Sequence, residues 1–187
     1  MIARHERVTI DIGTGDGRAV LLGAAREPTT LVLGLDANAS VMVEASRRAA
    51  RPPRKGGLPN AGFILASAES PPSVLEASAD HVTVLFPWGS LFRGVVGTDA
   101  VVAAGIAGLV ARRGSLELML APAAQDGLDG VPTSGEALAA AAAGAFLDHG
   151  FDVDDARTPT PAEVKATGST WARRLDRRPT LIRLVRR

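Results

Sequence analysis

The sequence predicts a wound α/β fold of Rossmann-like type: a seven-stranded, mostly parallel sheet with helices on both faces. Three features of the chain point to it. An apolar run, Val8-Thr9-Ile10, enters the glycine-dense turn Asp11-Ile12-Gly13-Thr14-Gly15-Asp16-Gly17, and a helical apolar pattern resumes at Ala19-Val20-Leu21-Leu22. This is the strand, glycine loop and helix of a nucleotide-type site. A second apolar run, Leu31-Val32-Leu33-Gly34-Leu35, ends in Asp36, and a carboxylate at the tip of the second strand of a βαβ unit can accept both hydroxyls of a ribose. Short apolar runs then alternate with helical stretches to the end of the chain, as parallel strands joined by crossover helices do.

Glycines at 13, 15 and 17 let the backbone take positive φ and let a ligand lie close against it. The pyrophosphate fingerprint G-x-G-x-x-G would need glycine at 18, where Arg18 stands, and Asp11 and Asp16 load the loop with negative charge. A pyrophosphate is a poor guest there. A nucleoside carrying positive charge fits better, and S-adenosyl-L-methionine, with its sulfonium and ammonium groups, is the obvious candidate. The plain alternative is a tight turn, with Asp36 serving only to cap the following helix.

Residues 39–50 have helical composition and are stopped by the basic, Pro/Gly-rich linker Arg51-Pro52-Pro53-Arg54-Lys55-Gly56-Gly57-Leu58-Pro59-Asn60. Phe63-Ile64-Leu65-Ala66 is the third strand. It ends near Ala68-Glu69, on the same sheet edge as Gly13 and Asp36, so Glu69 faces either an adenine ring or solvent. His81 to Phe86 is the fourth strand and runs into Pro87-Trp88-Gly89-Ser90. Proline stiffens that turn and glycine leaves one face of the indole open, which puts Trp88 at the ligand edge, although most tryptophans are core or core-edge residues. Residues 101–110 form a helix and 116–121 the fifth strand. The Pro/Gly/Asp-rich connection 122–134 is a lid candidate. An alanine-rich helix at 135–147 closes at His149-Gly150, 151–157 is the sixth strand, Pro161 begins a short helix over 160–166, and 181–185 is the last strand.

Before that last strand, Gly168-Ser169-Thr170-Trp171-Ala172-Arg173-Arg174-Leu175 sets the second of only two tryptophans among arginines. Aromatic rings interleaved with basic residues suit an unstacked nucleobase, the rings sandwiching the base while guanidiniums hold flanking phosphates. The alternative for Trp171 is a hydrophobic plug between the last helix and the sheet.

At 187 residues the chain is long enough for one domain with a full α/β core. No run approaches the roughly 20 apolar residues of a membrane span, and Met1-Ile2-Ala3-Arg4-His5-Glu6-Arg7 has no apolar signal core. A cytoplasmic protein with no membrane association is therefore expected. The absence of cysteine, and three histidines scattered at 5, 81 and 149, give no basis for a metal site. Charge is unevenly spread. From Arg157 to Arg187 nine basic residues face two acids, a balance of +7, so residues 1–156 carry −6 of the net +1. Arg47, Arg48, Arg51, Arg54 and Lys55 form a second basic patch with no acid between Glu44 and Glu69. Such patches suit a polyanionic partner, or else are simply a solvated surface.

Taken together, the segments Asp11-Ile12-Gly13-Thr14-Gly15-Asp16-Gly17, Gly34-Leu35-Asp36, Lys55-Gly56-Gly57-Leu58-Pro59-Asn60, Ala68-Glu69-Ser70, Leu85-Phe86-Pro87-Trp88-Gly89-Ser90 and Ser169-Thr170-Trp171-Ala172-Arg173-Arg174-Leu175 resemble a known family. It is the aminoglycoside-resistance 16S ribosomal RNA methyltransferases of the kanamycin-apramycin type, which modify N1 of the decoding-site adenine 1408. The glycine loop is shared by many class I methyltransferases, whereas the Lys-Gly-Gly-Leu, Phe-Pro-Trp-Gly and Ser-x-Trp-x-x-Arg-Leu segments in this order are specific. The resemblance implies that Gly13, Asp36, Ala68, Glu69, Leu85, Phe86, Pro87, Trp88, Gly89, Ser90, Ser169, Thr170 and Trp171 surround S-adenosylmethionine. It implies that Trp88 and Trp171 sandwich a flipped adenine, and that Arg54, Lys55 and Arg174 grip 16S rRNA of the 30S subunit. It further implies a monomeric methyltransferase domain over 1–187, lacking most of the family's N-terminal hairpin, with the linker 51–60 and the connection 159–178 facing RNA. A class I methyltransferase for another RNA or for a small molecule would share the cofactor residues.

Overall fold

The computed structural model describes residues 5–122, 130–173 and 175–187. Strands β1 (Arg7–Ile12), β2 (Thr30–Asp36), β3 (Ala61–Leu65), β4 (Ala79–Leu85), β5 (Val110–Leu120), β6 (Phe151–Arg157) and β7 (Thr180–Arg186) form one sheet in the order β3-β2-β1-β4-β5-β7-β6. Pairs from β3 across to β5 are parallel, and β7 runs antiparallel to both β5 and β6. The helices are α1 (Arg18–Arg26), α2 (Ala39–Ala49), α3 (Gly89–Val95), α4 (Ala100–Leu109), α5 (Gly135–Leu147) and α6 (Pro161–Ala166). The seven-stranded wound sheet expected from the sequence is the one observed. The chain winds outward from β1 to β3 and then returns to β4 on the other side of β1, so a crevice opens at the carboxyl ends of β1 and β4.

Strand β2 is buried almost throughout, as a strand covered on both faces must be. Its residues alternate between layers. Leu31, Leu33 and Leu35 join the main core with Phe92, Ile106 and Phe146, and Val32 joins Val20 and Ala24 of α1. Among the described residues no single helix is long and apolar enough to cross a membrane.

Two element readings differ from the sequence-based ones. Helix α3 was not expected: its seven residues carry a weak local signal, and burial of Phe92 and Val95 in the core is what holds it. Strand β5 begins at Val110 rather than at 116, in a stretch where its register against β4 shifts between Ala79 and His81. Irregular pairing of this kind hides a strand start from a periodicity argument.

The linker after α2 is exposed and basic, as expected, but it is a compact turn. Its amides at Lys55 and Gly57 both donate to the Pro52 carbonyl, at 2.8 and 3.3 Å, and the Leu58 amide returns to the Ala49 carbonyl at 2.9 Å. Asn60 behind it is buried, and its Nδ2 donates to the carbonyls of Ala24, Glu27 and Thr30 at 2.9, 3.1 and 2.9 Å. One side chain thus joins the end of α1 to the start of β2. The lid reading of 122–134 falls mostly on residues 123–129, which lie outside the described residues.

Gly17 opens α1 at φ 71°, where a Cβ would stand 2.5 Å from Phe63 and 2.6 Å from Ala45. The left-handed backbone alone costs an alanine about 1–2 kcal/mol, and Phe63 and Ala45 must also move. Gly17→Ala is expected to lower the melting temperature by roughly 5–10 °C, measurable by differential scanning calorimetry.

Candidate active site

A cavity of about 740 Å³ occupies the crevice. It is lined by the β1–α1 loop, by Asp36 and the segment after β3, by the turn after β4, and by Ser169 to Trp171. Of the residues expected around a cofactor, all but Gly89 line this space. Gly89 instead starts α3 at φ 60° with open space where a side chain would be.

Among the described residues, the cavity is lined by four carboxylates, Asp11, Asp16, Asp36 and Glu69, and by no lysine or arginine. That donor set suits a cationic nucleoside and opposes a phosphate. Asp36 Oδ2 accepts from the Gly15 amide at 2.8 Å and Oδ1 from the Asn38 amide at 2.9 Å. Each carboxylate oxygen retains acceptor capacity beyond these bonds, so Asp36 can still take hydroxyls. The capping of α2 falls to Asn38, which accepts from the Ser40 amide at 3.1 Å. Gly15, at φ 56°, has nothing within 4 Å of a Cβ position, so the loop backbone stays bare for a ligand to lie against.

Asp11 was expected only as a loop acid. It is buried at the end of β1 and accepts from the Thr83 hydroxyl at 2.7 Å. Burial raises its pKa to about 6, with the Thr83 bond opposing the shift. Because the folded chain then binds this proton more tightly than the unfolded one, the contribution is complete below about pH 4. It is lost as pH rises through about 6, a change on the order of 3 kcal/mol. Asp11→Asn keeps an acceptor for Thr83 and removes the titration. Urea unfolding of the two proteins between pH 4 and 7.5 should show the wild type losing stability relative to the variant as pH rises. A difference independent of pH would contradict the burial effect.

The turn after β4 is strained. Phe86 has φ 53°, a left-handed value unusual for a bulky residue, and its amide donates to the Met119 carbonyl at 2.7 Å. Phe86 packs on Met119 and Leu181, which fixes the strained residue and throws Trp88 outward. Trp88 is 71% exposed and Trp171, which lines the same cavity, 52% exposed, so neither is a core plug.

A second cavity of about 1250 Å³ lies between α1 and residues 158–179. Arg18, Arg26 and Arg48 from α1 and α2 and Lys165, Arg173, Arg177 and Arg178 line it, with no acid among the described lining residues, and Ser169 is shared with the first cavity. Arg54 and Lys55 are exposed in the 3-10 turn Pro53–Lys55. Arg174 lies outside the described residues.

The model of one protein family, NpmA: 16S rRNA (adenine(1408)-N(1))-methyltransferase, matches residues 1–185. The chain belongs to this methyltransferase family. A family member from Streptoalloteichus tenebrarius, a 16S rRNA (adenine(1408)-N(1))-methyltransferase, is 35% identical over 181 residues, covering 92% of this chain and 82% of its own. The crystal structure of a tryptophan-to-alanine variant of the Catenulisporales acidiphilia 16S rRNA (adenine(1408)-N(1))-methyltransferase, with cosubstrate SAM, superposes with a TM-score of 0.88. It is 31% identical and covers 99% of this chain and 88% of its own. The aminoglycoside resistance methyltransferase NpmB1 superposes with a TM-score of 0.84 at 36% identity, over 100% and 90% of the two chains.

Within this methyltransferase fold the sequence reading missed Leu91 and the bonding of Asp16. A Cβ on Gly13 would stand 2.6 Å from Leu91 Cδ2, so α3 presses directly on the glycine loop. The available signal was an apolar residue three positions after Trp88. Asp16 reaches across to Thr170, a pairing 154 residues apart that no local pattern encodes.

Proposed function

We propose that this chain is an S-adenosylmethionine-dependent methyltransferase that methylates N1 of adenine 1408 in 16S rRNA and so confers aminoglycoside resistance. The reading takes the 30S subunit as substrate, with the enzyme acting in the cytoplasm as a monomeric domain over 1–187. The observation that supports it is that two exposed tryptophans, from distant parts of the chain, line one acidic cavity that shares Ser169 with a basic groove.

The cofactor supplies an electrophilic methyl group on a positively charged sulfur. Adenine N1 has an in-plane lone pair and no proton at neutral pH, so no general base is required of the protein. The work of the chain is positional. Asp36 and the bare backbone at Gly13 and Gly15 hold the nucleoside, and Ala68, Glu69 and Leu85 to Pro87 wall its base. Trp88 and Trp171 take the flipped adenine between their rings, exchanging its stacking in RNA for stacking on indole. Ser90, Ser169 and Thr170 close the cavity around them, and Gly89 gives the Trp88 ring room. Arg54, Lys55 and Arg174 hold the RNA backbone, with the linker 51–60 and connection 159–178 as the RNA-facing additions. A methylated N1 blocks base pairing. Primer extension on rRNA from 30S particles treated with enzyme and S-adenosylmethionine should therefore stop one nucleotide before adenine 1408. Full-length extension through that base, with cofactor binding intact by calorimetry, would place the target elsewhere.

A further inference from the structure

We propose that Thr170 is a positioning residue for the target base, its hydroxyl anchoring the mount of Trp171 to the cofactor loop through Asp16. This rests on the methyltransferase reading above. Thr170 Oγ1 donates to Asp16 Oδ2 at 2.5 Å, and Asp16 Oδ1 accepts from the Arg18 amide at 3.2 Å. Asp16 is thereby fixed at the entry to α1 while it reaches over the cavity rim.

Two further attachments hold the preceding residues on the same helix. Arg26 Nη1 donates to the Ala166 carbonyl at 2.8 Å. Gly168, at φ 72°, lies so close to α1 that a Cβ would stand 2.8 Å from Leu22 Cδ2. Trp171 follows directly, its amide donating to Ser169 Oγ at 3.3 Å as the chain enters the 3-10 turn Trp171–Arg173. Beyond it, Ala172 and Leu175 pack against the cluster of Phe86, Met119 and Leu181.

The two tryptophans therefore have different footings. Trp88 is set by the end of β4, and Trp171 by α1 and its glycine loop. The Asp16–Thr170 bond is the last polar tie before Trp171, so it sets the gap between the rings. It also links that gap to the loop on which the cofactor lies.

The test compares Thr170→Val, Thr170→Ser and wild type in the full chain, with S-adenosylmethionine and 30S subunits. Thr170→Val keeps the shape and removes the donor. Its kcat is expected to fall about five- to tenfold, the rate equivalent of one hydrogen bond, while cofactor Kd moves less than about twofold. Thr170→Ser should restore kcat, and Asp16→Asn combined with Thr170→Val should lose less than the product of the single losses. Wild-type kcat in Thr170→Val, or a loss expressed in cofactor Kd, would overturn the proposal. An activity-independent readout uses the presence of only two tryptophans. In a Trp88→Phe background, Thr170→Val should increase iodide quenching of Trp171 fluorescence, and unchanged quenching would also overturn the proposal. A wild type inactive on 30S subunits with that increase present would reject the rRNA reading and leave the anchoring intact.

Discussion

Trp88→Ala and Trp171→Ala should each cut methylation of 30S subunits by about a hundredfold in kcat/KM while leaving S-adenosylmethionine affinity within a few fold. Base stacking on an aromatic ring is worth about 1–3 kcal/mol, and a base held on one face only also loses the alignment of N1 with the methyl group. Both rings line the same cavity and both are exposed, and in the proposed sandwich each covers a different face of the base, so neither can substitute for the other. Phenylalanine at either position should recover part of the rate, because a smaller aromatic face remains. Calorimetry for the cofactor and a methyl-transfer assay on 30S subunits separate the two effects. Full activity in either alanine variant would end the sandwich model, and a cofactor Kd raised as much as the rate is lowered would recast that tryptophan as a cofactor wall.

Asp36→Ala should act in the complementary way, raising cofactor Kd by about a hundredfold to a thousandfold. The carboxylate does two jobs in the structure. It pins the Gly15 and Asn38 amides, at 2.8 and 2.9 Å, and it presents its remaining lone pairs to the cavity. Hydrogen bonds to charged groups are worth about 1.5–3 kcal/mol each, and an alanine leaves both amides without that partner. Asp36→Asn retains one acceptor and should cost only about tenfold. If affinity in Asp36→Ala stayed within about twofold of wild type, the nucleoside would have to sit away from β2.

Much of this was legible in the chain because the relevant signals are local. Strand, glycine loop and helix follow one another over residues 8–22, and Asp36 closes the next strand. Proline and glycine around Trp88 mark a turn. The structure then shows what local signals cannot carry. The strain at Phe86 is sustained by Met119 and Leu181, residues far along the chain. Asp11 looks like any loop acid, and only its position beneath Thr83 buries it. The basic residues of 165–178 read as a run of charge, but their meeting with Arg18 and Arg26 across a groove depends on how that connection lies on α1.

The four carboxylates around the cavity have a consequence for the energy of the reaction itself. In the proposed reaction the positive charge sits on sulfur before transfer, and after it the same unit of charge sits on the methylated adenine. The enclosed charge never changes, only its address a few ångströms away. Walls of fixed negative potential therefore favour the cationic contents of the cavity before the step and after it alike. They also retain the base afterwards, because the product enters solution only by leaving four anions for water.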